Sequence, residues 1–317
     1  MNEGESAVRN IASKYILEDI KIKQDGDDYV YSQKVGNINS VDDIKDIISC
    51  FDGDWIFRGQ RDAFWALVPS IQRFTTSIDW DSYENAVVDA VMEKEQQCVK
   101  FKGAPYHEKL MNIQHYGGVT RFLDFSFNWR VATFFAFCGD QKESYKNSHE
   151  FCAIWAVNYK KIKANAEKFM QEKWGYIPKS QEEILSKMVT EDKIGSFVYP
   201  FVFSGNKSSR IVKQEGLLLA QCDPCDSFGN NLFNIWEERE LSRHDYETFE
   251  LMVSKIIIPF SLRKDVLDFL GTEGFTKEYL LPGKEEFSSM KKIIQDVDIQ
   301  AQKRIKKKIE EFKKGME

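Results

Sequence analysis

This 317-residue sequence predicts an α+β fold that ends in a long amphipathic helix. Two observations lead there. Short runs rich in aromatic and β-branched residues read as strands: Trp55 to Arg61, Arg121 to Phe127, Phe151 to Val157 and Lys255 to Pro259. Between them lie segments with apolar residues three and four apart, which read as helices. No internal repeat is visible.

Taken in order, residues 1–39 form an N-terminal extension without clear periodicity, in which Tyr29 to Val35 reads as a strand. Ser40 is an N-cap with Asp42 and Asp43 in the first turn, where a helix dipole favours acid. That helix ends near Phe51. Leu67 to Arg73 is a loop entering the next element, and Trp80 to Gly103 is helical through Tyr83, Ala86, Val87, Ala90 and Val91. Pro105 to Ile113 is a second helix, and Asn128 caps the apolar helix that follows. Lys160 to Glu191 is a charged, helix-prone insertion covering one side of the core. Gly195 to Ser204 holds a strand. Arg210 to Ala220 reads as two short strands around a polar break at Gln214 and Glu215. Ser261 caps a helix to Gly271. From Lys284, Phe287, Met290, Ile294, Val297, Ala301 and Ile305 share one helix face. Packing on the chain's own body is the simpler reading of that face, and a partner arm the competing one.

Composition narrows the function classes. Apolar content of 42% with 24 Phe describes a globular chain. No run approaches the ~18 apolar residues that span a bilayer, so no membrane association is expected. Met1 to Lys14 has no signal-peptide core. The cysteines, Cys50, Cys98, Cys138, Cys152, Cys222 and Cys225, are mostly isolated in apolar sequence, which suits buried thiols and a cytoplasmic location. Cys222-Asp223-Pro224-Cys225 has no second pair and reads as a loop with two thiols. The histidines, His107, His115, His149 and His244, are scattered, so no metal is expected. Net charge is −6, against a broad nucleic-acid-binding surface. Residues 302–317 carry a local basic excess nonetheless, which leaves a basic arm open.

The chemistry-bearing residues concentrate in Gln114 to Asn128. Gly117-Gly118 permits unusual backbone angles and close approach of a ligand. The following strand carries Asp124 and Ser126 near its end, ahead of a buried helix, a good place for a pocket. A hydrogen-bonded structural turn, in which His115, Arg121 and Asp124 satisfy one another, is the competing reading. Arg58, at the end of an aromatic strand, is costly to bury unless it is paired or meets an anion. Asp52, Asp54 and Asp62 are the candidate partners. Gly59 would let the chain bend away and leave the guanidinium facing a cleft.

Three segments together resemble the FRG domain: Phe57-Arg58-Gly59-Gln60, Leu67 to Arg73, and Gln114 to Asp124. Arg210 to Gly216 and Lys255 to Pro259 are similar to later segments of that family, so the resemblance covers residues 40–283. Its layout is similar to ADP-ribosyltransferases of the arginine–serine–glutamate type. The resemblance implies mixed, mainly antiparallel sheets with flanking helices. It also implies NAD as substrate, and an NAD-dependent toxin or defence enzyme that modifies RNA, DNA or protein. Arg58, Ser126 and Glu215 would be the signature positions, and Asp124 an alternative carboxylate. Arg58, Gly59, Gln60, His115, Tyr116, Gly117, Thr120 and Arg121 would contact the dinucleotide. Gln214-Glu215-Gly216 departs from the transferase pattern Gln-x-Glu by placing glycine at the carboxylate position. A one-residue shift would turn Glu215 to the other face of a strand. The alternative function is a non-catalytic nucleotide or nucleic-acid binding module. An antitoxin or regulatory protein would then engage the C-terminal helix. Hydrolysis with His115 as base, oriented by Asp124, is a third reading, without an evident nucleophile.

Overall fold

The computed structural model describes residues 16–24, 27–35, 37–49, 51, 53–74, 80–93, 101–138, 150–190, 195–203, 209–237 and 253–314. Expectations for Met1 to Lys14, Asp52, residues 94–100 of the helix read from Trp80 to Gly103, His149, His244, Cys50 and Cys98 lie outside these residues. So does that for residues 315–317 of the basic segment.

The chain begins with an antiparallel hairpin, β1 (Ile16–Gln24) and β2 (Asp27–Val35). Only its second strand is legible in the sequence. Ser40 caps α1 (Val41–Ile48), its hydroxyl accepting the Asp43 N–H at 3.1 Å. β3 (Trp55–Gln60) is followed by α2 (Ser70–Phe74), α3 (Trp80–Glu93) and α4 (Tyr106–His115). β4 (Phe122–Ser126) runs into α5 (Trp129–Phe137), capped by Asn128 through the Arg130 N–H at 3.0 Å. β5 (Phe151–Asn158) leads to α6 (Tyr159–Trp174) and α7 (Gln181–Thr190). Then come β6 (Val198–Val202), α8 (Ser209–Lys213), β7 (Gly216–Gln221), α9 (Phe228–Glu237) and β8 (Val253–Pro259). A 3-10 turn (Phe260–Leu262) precedes α10 (Arg263–Thr272), α11 (Lys277–Leu280) and α12 (Lys284–Lys314).

All eight strands join one sheet, in the order β1-β2-β8-β5-β3-β4-β7-β6. The six from β8 to β6 are antiparallel throughout, and the hairpin adds to their edge through a parallel β2–β8 pair. This is the α+β class with a mainly antiparallel sheet and a C-terminal helix. Period-two alternation divides the central strands between two cores. Phe57, Ile154, Ile256 and Ile258 pack under α5 and α10 with Val131, Ala132 and Leu270. Ile56, Phe125, Trp155 and Leu217 face the opposite way, with Ile162 of α6 and Phe228 of α9.

Two local expectations are corrected. Arg210 to Lys213 is a helix, α8, and not a strand. Its turn closes through Gln214 N–H to the Arg210 carbonyl at 2.8 Å, and Glu215 follows at a φ of +46°. The β4 end holds this turn in place, since the Ser126 hydroxyl donates to the Gln214 carbonyl at 2.6 Å and the Phe127 N–H to the Glu215 carbonyl at 3.0 Å. Ser261 does not cap α10, because the 3-10 turn makes Leu262 the N-cap, with no side-chain bond.

The apolar face of α12 is covered by the chain itself. Met290, Ile294, Val297, Ala301 and Ile305 are buried in the core that also holds Tyr83, Val87 and Tyr116. The helix seats on the Gly117–Val119 turn so closely that a Cβ at Gly118 would stand 2.7 Å from the Ile294 methyl. Asp298 is also buried there, accepting the Tyr83 hydroxyl at 3.4 Å and the Val119 N–H. Burial pushes its carboxyl up to about 7, and those two bonds only partly oppose the shift. The unfolded carboxyl titrates near 4, so between pH 4 and 7 the folded form holds a proton that the unfolded form releases. Stability from this group is therefore present at low pH and lost as pH rises to about 7. Asp298→Asn should stabilise the protein by about 1–4 kcal/mol at pH 8 and hardly at all at pH 4. Urea midpoints of both proteins at the two pH values would test this; an equal gap at both would remove the assignment.

Candidate functional site

β3 and β4 are neighbours in the sheet yet pair only at Phe57↔Ser126. The separated walls open a cavity of about 980 Å³. Arg58 bridges the split, its Nη1 donating to the Asp124 carbonyl at 2.6 Å. Asp124 is thus the ionic neighbour of Arg58, with Oδ2 3.9 Å from Nη1, whereas Asp54 pairs with Lys160. Burial lowers the Arg58 pKa; Asp124 opposes this and Arg73 adds to it. Among the described residues its buried Nε has no hydrogen-bond partner. A buried donor left unsatisfied is uncommon in a folded protein, which sets Arg58 apart from a purely structural arginine.

Asp124 is the one exposed residue of its strand. Gln114 Nε2 donates to its Oδ2 at 2.7 Å, and the Thr120 hydroxyl donates to Gln114 Oε1 at 2.5 Å. The carboxylate is therefore oriented by a relay from a buried threonine. Arg61, Arg73 and His115 also line the cavity, and among its lining residues Asp124 is the one carboxylate. The balance of charge favours an anionic ligand.

Other sequence-derived candidates divide between the cleft and the core. Ser126 lines the cavity, but its hydroxyl donates to the Gln214 carbonyl and accepts the Asn128 N–H at 2.9 Å. It therefore ties β4 to the turn before β7. Glu215 does not line the cavity; its Oε1 accepts Asn128 Nδ2 at 2.8 Å, and Gly216 takes the wall position. The left-handed φ of Glu215 produces this displacement. Gln60 lines the cavity with both ends engaged, accepting Trp155 Nε1 at 2.8 Å and donating to the Ala66 carbonyl at 3.1 Å. Gly59 lies within β3 and does not bend the chain; it gives α5 room to approach.

Tyr116, Gly117, Thr120 and Arg121 are not among the lining residues. Tyr116 is buried, its ring 5.0 Å from His115 and 5.6 Å from Phe287. Gly117 takes a φ of +84° in the turn under α12. Arg121 is fully buried against Glu84, with Nε to Oε2 at 2.5 Å, and donates to the Cys222 carbonyl at 2.9 Å. The expected triad of His115, Arg121 and Asp124 is therefore not a mutually satisfied turn. Sequence reasoning gave no role to Arg61, Trp65, Arg73 or Gln114. Arg73 and Gln114 lie in segments quoted for the family resemblance, Arg61 directly follows one and Trp65 lies between two, which is the signal that could have found them.

Both walls of the split and the helix behind them fall in one stretch of sequence. Residues 53–145 match the FRG domain family. The FRG match thus contributes Arg58, Asp124, Ser126 and α5, while Gln214 and Gly216 close the cleft from outside it. No curated protein and no solved structure matches the chain.

Proposed function

We propose that the cleft binds a phosphate-bearing nucleotide and that the protein is an NAD-dependent ADP-ribosyltransferase with Asp124 as its working carboxylate. The observation that carries this reading is Arg58, partly buried between the split strands, lining the cavity and facing Asp124. The cavity has the size of a nucleotide site. The planar guanidinium fork of Arg58 suits the pyrophosphate oxygens. In the reaction the nicotinamide–ribose bond breaks, and its electron pair leaves with nicotinamide. The acceptor atom bonds to the ribose carbon and gives up its proton. Positive charge develops on the ribose, and a carboxylate already oriented by Gln114 stabilises it without reorganising.

Nicotinamide release from labelled NAD tests the reading, with RNA, DNA and cell lysate supplied separately as acceptors. Arg58→Ala should weaken NAD binding about 10–100-fold while the protein stays folded, and Arg58→Lys should also be impaired. Asp124→Asn should keep binding and lose about 100–1,000-fold in kcat. Glu215→Gln should turn over normally. Normal turnover in folded Asp124→Asn would exclude the carboxylate role.

The placement of Glu215 outside the cavity, with glycine at position 216, favours a second reading: a module that binds the nucleotide without reacting it. Arg58-dependent NAD binding with no release in any mixture would select it.

A further inference from the structure

A loop beside the cleft spends buried polar groups on holding two large aromatics in solvent. Phe64 is 77% exposed and Trp65 46%. Their backbone is pinned on four sides. Asp62 Oδ1 accepts the Phe64 N–H at 2.8 Å, and the Ala63 N–H donates to the Phe151 carbonyl at 3.0 Å. Lys255 Nζ donates to the Trp65 carbonyl at 3.2 Å, and Gln60 holds the Ala66 carbonyl. Asp62, Gln60 and Lys255 are all nearly buried. Exposed aromatics on a loop fixed in this way lose apolar burial without gaining flexibility, which suits a preorganised binding surface.

Charge identifies what would cover it. Arg61 precedes the aromatics on the same turn, and it lines the cavity with Trp65 and Arg73. Aromatic faces next to guanidinium groups match bases joined by phosphates. We infer that Phe64 and Trp65 form a shelf on which the bases of a single-stranded nucleic acid stack, with its phosphates at Arg61 and Arg73. A duplex would not fit this shelf, because its bases are already stacked on one another. The inference rests on the reading of the cleft as a nucleotide site, since it places the acceptor strand at that site's edge.

The test is fluorescence anisotropy of the full chain, without NAD, on a labelled 12-nucleotide single strand of mixed sequence. RNA and DNA versions and the matching duplex are measured in parallel. Phe64→Ala combined with Trp65→Ala should weaken single-strand binding about tenfold or more, and the duplex should bind less tightly than the single strand. Both side chains are solvent-exposed, so the variants should fold; far-UV circular dichroism and the urea midpoint of the double variant serve as the check. Undiminished single-strand binding by the double variant, equal binding of the duplex, or no binding by the parent protein would each overturn the shelf. Failure of the cleft reading would look different: NAD binding would be absent while shelf-dependent strand binding persisted.

Discussion

Glu84→Ala should lower stability by about 3–5 kcal/mol, although Glu84 lies outside the cleft. Glu84 and Arg121 have fully buried side chains, and Glu84 alone carries two bonds to Arg121. Its Oε2 accepts Nε, and its Oε1 accepts the Arg121 backbone N–H at 2.8 Å. Removing the carboxylate takes both bonds and the paired charge from a guanidinium held in the core. A typical domain has about 5–15 kcal/mol in total, so the loss is a large share of it. Replacing both residues by apolar ones, Glu84→Leu with Arg121→Met, should cost much less, because neither charge is then stranded. Urea unfolding of the single and double variants measures both values. A single variant as stable as its parent would mean that water reaches this pair.

That pair also shows where sequence reading stops. Arg58 and Arg121 are both arginines beside an aromatic strand, and local sequence does not distinguish them. What separates them is distant: Glu84 lies 37 positions before Arg121 and pairs with it in the core, whereas among the described residues Arg58 meets a half-exposed Asp124. Features set by nearest neighbours were legible. Ser40 and Asn128 cap their helices, strand alternation places β3, β4, β5 and β8, and the apolar stripe of α12 foretells its burial. The turn at Gln214 was not legible, because bonds from Ser126 and Phe127 hold it. One residue of displacement there moves the expected glutamate off the cavity wall. Asp124 stood in the right segment, but its orientation depends on Gln114 and Thr120, whose relay is visible only once the strand and the preceding helix are in place.

Gly59→Ala should prevent folding or cost about 3 kcal/mol or more. A Cβ at Gly59 would stand 1.9 Å from the Ala132 carbonyl oxygen and 2.6 Å from the Ala136 nitrogen. These are backbone atoms of α5, so no rotamer change relieves the collision. The helix would have to move off the sheet, opening the core around Phe57, Val131 and Ala132. Gly216→Ala provides the contrast. Its added carbon would lie 3.8 Å from the Ile211 carbonyl, an ordinary contact, so the fold should persist while the cavity wall gains a methyl group. Soluble yield and urea midpoints of the two variants separate the cases, and a Gly59→Ala protein of parental stability would refute the close approach. Each residue of Phe57-Arg58-Gly59 thus answers a different demand. Phe57 fills the core under α5, Arg58 turns the other way into the split, and Gly59 lets the helix come near enough to form its back wall.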